Sequence, residues 1–555
     1  MAFDEILHHV DDNGRFQILM IILLNITSLL SSPHDFMENF TAATPDHHCR
    51  VSLLDNPRSE FNITMNLTTE AMMKVSIPMG PNQKPEQCRR FRHTQWQFLD
   101  SNISTFNSIE LETEPCLDGW TYDHSVFTST IITEWDLVCD YQSFKYYAQT
   151  ISLSGHLVSS LLCGIVSDRF GRKPLLVCSC LAYGILGTCC AFAPNFSLYC
   201  VLRFLLSSSM NNIILNSYAL VLEETLLQYQ VTVIILSGLF TSIGQAVLGG
   251  LAYVLSDWHK LQLAFAMPYF IISILFCLGP ESARWLMATG KTERALKELQ
   301  RIASINGKKD IAQNLTTEAL QSNLMEDVNS TRKRIRIKSI IINPVILKTV
   351  LLNSSVIFAE VFSSFGLLLD VQILGKNIFL NQFILGMTDI PSKSLTYFML
   401  RRVNRRPLIA SSLLVLGICL TTTIFVSEEM HVLRLIVFLL GKGSFSAFNC
   451  IIITYTNEIT PTAQWSTLNG IYNFVGRLAP ILSALTLVTR KYFVHLPMII
   501  YGILPIIATV NIYFLPETFN LPCIDTMNDL EKRSRMKNKS TRKNKEQDFL
   551  ETTEC

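Results

Sequence analysis

Charge is scarce in this chain. Asp, Glu, Lys and Arg make up only 16% of its 555 residues, against 49% hydrophobic, and the mean hydropathy is +0.30. A soluble protein of this length would carry more charge and divide into several domains. The net charge of +1 gives no basis for binding nucleic acid. Nucleotide and metal motifs are missing as well. There is no Walker A pattern and no HExxH, and GKGS at 441–444 lacks the upstream glycine that a phosphate loop needs. No metal and no cofactor are therefore expected. The first apolar run, FQILMIILLNITSLL (16–30), follows the acidic leader DEILHHVDDNG, with neither a basic n-region nor a small-residue cleavage site. It is expected to be a retained helix rather than a signal peptide.

What the chain does have is apolar runs of about 20 residues, the length that crosses a hydrocarbon core of about 30 Å. Clear cases are 175–193, 263–279 and 408–426. Twelve spans are expected: 16–33, 144–165, 174–193, 198–220, 231–255, 261–280, 346–370, 377–400, 407–427, 432–456, 464–489 and 493–515. The fold class is an all-α membrane protein. Its expected parts are an N-terminus (1–15), a first span (16–33), a long insert (34–143), spans 2–6 (144–280), a basic loop (281–345), spans 7–12 (346–515) and a tail (516–555).

The insert 34–143 reads as extracellular. It carries sequons at Asn39, Asn62, Asn66 and Asn102, the expected glycosylation sites. It also holds four cysteines, Cys49, Cys88, Cys116 and Cys139, an even number that suits two disulfides of unknown pairing. This topology places the short basic loops inside: DRFGRKP (168–174), RRVNRRP (401–407), the 281–345 segment and the lysine-rich tail. Both termini are then cytoplasmic, and the sequons at Asn314, Asn329 and Asn538 go unused.

The chain repeats itself. Pro174 and Pro407 end corresponding loops 233 residues apart, Glu224 and Glu458 end spans 4 and 10 at an offset of 234, and Pro280 and Pro516 follow spans 6 and 12 at an offset of 236. Three landmarks at nearly one offset imply two homologous six-helix halves. Carriers built this way bind substrate between the halves, near the bilayer midplane.

GIVSDRFGRKP (164–174), PESARWL (280–286) and PETFNLP (516–522) resemble the major facilitator superfamily. The cysteine-bearing, sequon-rich first insert resembles solute carrier family 22. The start MAFDEILHHVDDNGRFQ, ENF (38–40), EPCLDGWTYD (114–123) and EWDLVCD (134–140) are similar to its organic anion transporter branch, which includes a prostaglandin-selective carrier. The resemblance implies a plasma-membrane carrier, in polarised epithelium, that exchanges amphipathic organic anions for a counter-anion such as a dicarboxylate. Three loops depart from the family pattern. Asn404 stands where glycine is usual, LEETLLQYQ (222–230) lacks the usual tryptophan and basic residue, and AQWS (463–466) replaces an arginine-bearing segment.

Lys393 and Asp389 lie inside an apolar span, where a central lysine costs about 2.5–3.5 kcal/mol. Lys393 can snorkel, pair with Asp389 one turn away, or face substrate; it lies about 12 Å along the helix from Arg401, far for a snorkelling stem. The DIPSK stretch resembles a family pattern whose lysine faces the cavity, which favours substrate contact. Arg477, mid-way along span 11, has a planar fork suited to a carboxylate or sulfate, and stands where the anion branch keeps an arginine. A buried structural pair is its alternative. Glu360 in span 7 departs from the family; it reads as a partner for Arg477 or Lys393, as a protonatable coupling group, or as a residue facing an unrelated polar neighbour. Phe358, Phe362 and Phe365 form a helical stripe that serves either core or pocket. Phe445 and Phe448 supply a second aromatic wall. Asn25, Asn212 and Asn216 read either as substrate donors or as interhelical bonds. Asp168, Arg169, Arg172 and Lys173, with Glu224 and Glu458, resemble the superfamily's gate and are expected to control conformation.

The expected activity is secondary transport of amphipathic organic anions, such as prostaglandin-like carboxylates or steroid sulfates, by alternating access and not by enzymatic chemistry. The rivals are an organic cation carrier, in which Glu360 and Asp389 dominate, and a non-transporting, receptor-like relative.

Overall fold

The structure, a computed structural model, describes residues 14–51, 69–80, 84–99, 112–225, 227–308, 344–368, 377–426, 430–460, 465–493 and 495–519. Twelve long helices run through them: α1 (Arg15–Phe36), α2 (Phe144–Phe170), α3 (Arg172–Ala191), α4 (Phe196–Glu223), α5 (Leu227–Val254), α6 (Trp258–Leu278), α7 (Pro344–Leu368), α8 (Ile378–Leu400), α9 (Arg405–Phe425), α10 (His431–Ile459), α11 (Trp465–Val488) and α12 (Leu496–Phe514). Ten are apolar enough by themselves to cross a membrane. The other two are α2, which is rich in serine, and α8, which carries Asp389 and Lys393. These two lie against the partner helices of the opposite half, so their polar faces meet protein and not lipid.

α1–α6 and α7–α12 form two six-helix halves, each with its own apolar core. Leu24, Tyr183, Leu206, Met210 and Tyr269 fill the first, and Val356, Leu413, Phe448, Ile451 and Tyr455 fill the second. The halves meet where α2 packs on α11 and α5 on α8. At the α5–α8 seam the backbones approach so closely that a Cβ on Gly386 would lie 2.5 Å from Ala246 N. Small residues permit such contact in a setting where lipid is as apolar as the side chains. Ile271, Leu278, Leu351 and Val510 remain exposed on the outer surface, as hydrocarbon requires.

The insert after α1 folds into a small head. Strand β1 (His47–Cys49) pairs antiparallel with β4 (Trp120–Tyr122), and β2 (Arg89–Phe91) with β3 (Thr113–Pro115). The disulfides are Cys49–Cys116 and Cys88–Cys139. Crosslinks suit a segment with so little core of its own. The head is tied to α6 by Trp258, whose Nε1 donates to Glu134 at 2.9 Å. Burial, together with its hydrogen bond to Asp136, pushes the Tyr122 hydroxyl well above the ordinary phenol range.

Asn39 differs from expectation. It lies in a helical turn, Glu38–Thr41, 8% exposed, and its Nδ2 donates to Leu368 O of α7 at 3.0 Å. The nitrogen that would carry a glycan instead joins the halves, so Asn39 is corrected to a structural residue. Asn62, Asn66 and Asn102 lie outside the described residues.

Candidate functional site

Between the halves lies a cavity of about 600 Å³. Its wall runs from Asp35 and Leu368 near the head to Leu400 and Glu458 on the opposite, basic-loop face. Near the head the halves are sealed: Phe40 stacks on Phe379 at 5.6 Å and Phe127 meets Phe379 at 5.3 Å. On the basic-loop face, no hydrogen bond or ion pair joins the halves among the described residues.

α8 and α10 bring three charges into the wall. Lys442 Nζ lies 3.2 Å from Asp389 Oδ2, and Lys393 Nζ lies 3.9 Å from the same oxygen. Two ammonium groups thus share one carboxylate. Lys393 also donates to Gly238 O and Ser242 Oγ of α5, both at 2.7 Å. Its amine is held between the halves, so snorkelling is excluded in this state. Lys442 is 2% exposed and sits 4.8 Å from the centroid of the Phe445 ring, a cation–π contact. Sequence reasoning read Lys442 only as part of a failed phosphate loop. The usable signal was a lysine eleven residues inside an apolar span.

Glu360 on α7 is fully buried. Its Oε1 accepts from Ser364 Oγ at 3.2 Å, and Oε2 has no hydrogen-bond partner among the described residues. It feels the charge of Lys442 but forms no ion pair with Arg477 or Lys393, the partners expected for it. Arg477 makes no ion pair among the described residues and does not line the cavity, whereas Asp35 on α1, which sequence reasoning assigned to the start of the insert, does.

The aromatic stripe divides. Phe365 and Phe445 line the cavity. Phe358 stacks on Phe362 at 5.7 Å, and Phe362 packs edge-on against Tyr501 at 5.3 Å. Phe448 is 1% exposed within the core of the second half, so it is corrected from pocket to core. Asn25 is buried and does not line the cavity. Asn212 and Asn216 serve the interhelical alternative, accepting from Ser159 at 2.8 Å and Ser167 at 2.6 Å on α2.

On the basic-loop face the repeat becomes geometry. Arg172 pairs with Glu223 at 3.2 Å, and Ser282 Oγ donates to Glu223 at 2.5 Å. In the other half Arg405 pairs with Glu458 at 3.0 Å, and Thr518 Oγ1 donates to Glu458 at 2.5 Å. Glu281 and Glu517 accept the backbone N–H groups that open α3 and α9. The counterpart of Glu458 is thus Glu223 and not Glu224, which instead accepts from Ala283 N at 2.8 Å. Lys173 contributes its backbone N–H, and the Arg169 guanidinium lies 5.6 Å from the centroid of the Phe170 ring. The Asp168 side chain lies outside the described residues.

Two helical halves around a central cavity, with mirrored Arg–Glu pairs on one face, are the architecture of a membrane carrier. The chain belongs to the Major Facilitator Superfamily, whose family model matches residues 141–484. Within it, the chain belongs to solute carrier family 22. Solute carrier family 22 member 22 of Mus musculus is 71% identical over 555 residues, covering 100% of both chains. Solute carrier family 22 member 12 of Rattus norvegicus is 40% identical, over 96% of this chain and 97% of that one. The steroid transmembrane transporter SLC22A24 of Oryctolagus cuniculus is 38% identical over 100% of both. Among solved structures, the proton:xylose symporter XylE bound to 6-bromo-6-deoxy-D-glucose aligns with a TM-score of 0.59 at 14% identity, over 93% of this chain and 98% of that one. The protein is thus a multi-pass membrane transporter of organic solutes and not an enzyme.

Proposed function

We propose that this transporter carries amphipathic organic anions across the plasma membrane by alternating access. The observation that carries the reading is the pair of lysines, Lys393 and Lys442, sharing the single carboxylate of Asp389 in the cavity wall. In a low-dielectric cavity the local excess of two ammonium groups over one carboxylate is felt strongly, and the planar fork of Arg477 suits a carboxylate or sulfate. Phe365, Phe445, Ile234 and Ile453 offer apolar surface to the body of the substrate. Prostaglandin-like carboxylates and steroid sulfates have this chemistry, and the name of the SLC22A24 relative points the same way.

In this reading the head is extracellular and glycosylated, both termini are cytoplasmic, and the cavity faces the cytoplasm. Arg172–Glu223 and Arg405–Glu458 hold the basic face within each half and rearrange when it closes. With no nucleotide motif in the chain, a gradient of a counter-anion such as a dicarboxylate drives the exchange.

The test is uptake of a labelled prostaglandin and a labelled steroid sulfate by cells expressing wild type, Lys442→Ala and Arg477→Ala at matched surface levels. Wild-type uptake that collapses in both variants is expected. Uptake that survives both removes the site assignment. The carboxylates of Asp35 and Glu360 favour a second reading, an organic cation carrier; inhibition by cations and not by anions would select it.

A further inference from the structure

The cavity wall has a second polar end that the lysines do not reach. Ser28, Ser31, Ser32 and Asp35 of α1 all line the cavity. Their spacing, i, i + 3, i + 4 and i + 7, places them on one face of the helix, and every one is polar. The second half faces this stripe with Phe365, Leu368 and Phe445. A molecule in the cavity therefore meets polar groups along one flank and apolar ones along the other.

Asp35 ends the stripe. Its side chain is 26% exposed, and it is a cavity residue. Oδ1 lies 3.4 Å from Nε2 of the buried His156 on α2, which anchors that oxygen. Oδ2 makes no hydrogen bond or ion pair among the described residues. Ser32 Oγ, on a residue only 4% exposed, is also without a partner among them. An ionised carboxylate only accepts hydrogen bonds, so a donor is what completes Asp35. Covering it with an apolar or carbonyl group leaves the oxygen desolvated and unpaired, which is costly.

The helices give the distance from this acceptor to the cations. Lys393 Nζ donates to Gly238 O and Ser242 Oγ of α5. Ser237, the residue before Gly238, hydrogen-bonds Ser28 at 2.6 Å. The ammonium group is thus level with Ser28. Asp35 stands seven residues further towards the head, about 10 Å along α1. Lys442 shares the Asp389 oxygen with Lys393, so both cations lie at the same end.

We propose that the preferred substrates are amphipathic anions with a hydroxyl about 10 Å from the anionic group, and that Asp35 selects them by accepting the hydrogen bond of that hydroxyl. The anionic group binds at Lys393 and Lys442, the apolar body lies against the phenylalanines, and the distal hydroxyl meets Asp35 Oδ2. The substrate class rests on the anion reading above; the preference of Asp35 for a donor does not.

Two steroid sulfates that differ only at the end of the ring system remote from the sulfate, one with a hydroxyl and one with a ketone, test this. In cells expressing the full-length protein, wild-type KM is expected to be lower for the hydroxyl compound by on the order of tenfold. In Asp35→Asn the ratio is expected to fall to near one, because the amide donates to the ketone as well as accepting from the hydroxyl. A merely structural role for Asp35 would move both KM values together and leave their ratio unchanged. Equal wild-type KM values, or a ratio that persists in Asp35→Asn, overturn the proposal and leave the anion reading standing. The wild-type ratio decides even if Asp35→Asn does not fold. If neither sulfate is taken up, the anion reading falls, and the uncharged parent steroids decide the rest through thermal unfolding in lipid nanodiscs. Greater stabilisation of wild type by the hydroxyl steroid than by the ketone, lost in Asp35→Asn, keeps the donor site; equal stabilisation of wild type overturns it.

Discussion

The two halves handle buried charge differently. In the first, Arg203 and Glu38 meet at 2.7 Å, and the guanidinium makes two hydrogen bonds to the same carboxylate oxygen, leaving no surplus charge. In the second, two lysines share Asp389, Glu360 has no ion partner among the described residues, and the cations line the cavity. Both halves share one repeat and keep the same Arg–Glu pair at the basic face. What differs between these two clusters is whether a buried charge is closed on a single partner or shares one in the cavity wall. A closed pair organises a helix contact; an open one supplies potential for a substrate.

The sharpest way to break that comparison is to open the closed pair. Glu38→Ala leaves a buried guanidinium without its partner, at a cost of about 3–5 kcal/mol. Loss of folded protein in size-exclusion and thermal assays is expected, with partial recovery in Glu38→Ala/Arg203→Met. A Glu38→Ala protein that melts like wild type would mean that the pair organises nothing.

Phe448→Ala in the second core should cost about 3–5 kcal/mol, with KM unchanged in the protein that survives. Phe445→Ala should do the reverse, raising KM with little change in melting. A KM effect from Phe448→Ala at normal stability would redraw the line between core and cavity wall.

Lys442→Ala removes a charge held by Asp389 and the Phe445 ring within one half, and KM for a labelled anion should rise by about tenfold, or about 1.4 kcal/mol. Lys393→Ala should also change the maximal rate, because its amine bonds α5 in the opposite half. Equal, purely KM effects from both would remove the distinction between a ligand-facing lysine and one that spans the halves.

The smallest effects belong to the paired turns before α3 and α9. Gly171 has φ +108, and a Cβ there would lie 2.7 Å from Glu281 Oε2. Gly171→Ala should cost about 1–2 kcal/mol. Asn404, its counterpart, has φ −57, open to any L residue. Asn404→Ala should stay within about 0.5 kcal/mol in the same melts. This also accounts for asparagine at a position where the resemblance led to the expectation of glycine.

Long apolar runs and their repeat were legible because each helix must satisfy its own backbone in lipid, so length and hydropathy write themselves into the local sequence. Lys393, Asp389 and Arg477 stood out for the same reason: charge inside an apolar run is conspicuous. Lys442 was equally conspicuous and was passed over because its neighbours suggested a different motif. Glu223 and Glu224 could not be told apart by offset alone, since one residue turns a side chain by about 100° around the helix.

Asp35 was invisible as a site residue, because its place in the cavity wall beside His156 depends on how the helices pack. The pairing of the four cysteines, the engagement of Asn39 with α7 and the division of the phenylalanines between core and wall are of the same kind. Span length, charge rarity and internal repetition are properties of neighbouring residues, so the sequence alone determined a two-half membrane carrier with cations in its interior. Which charge meets which, and which face of a helix sees the cavity, is set by residues hundreds of positions apart, and only the packing of the two halves decided it.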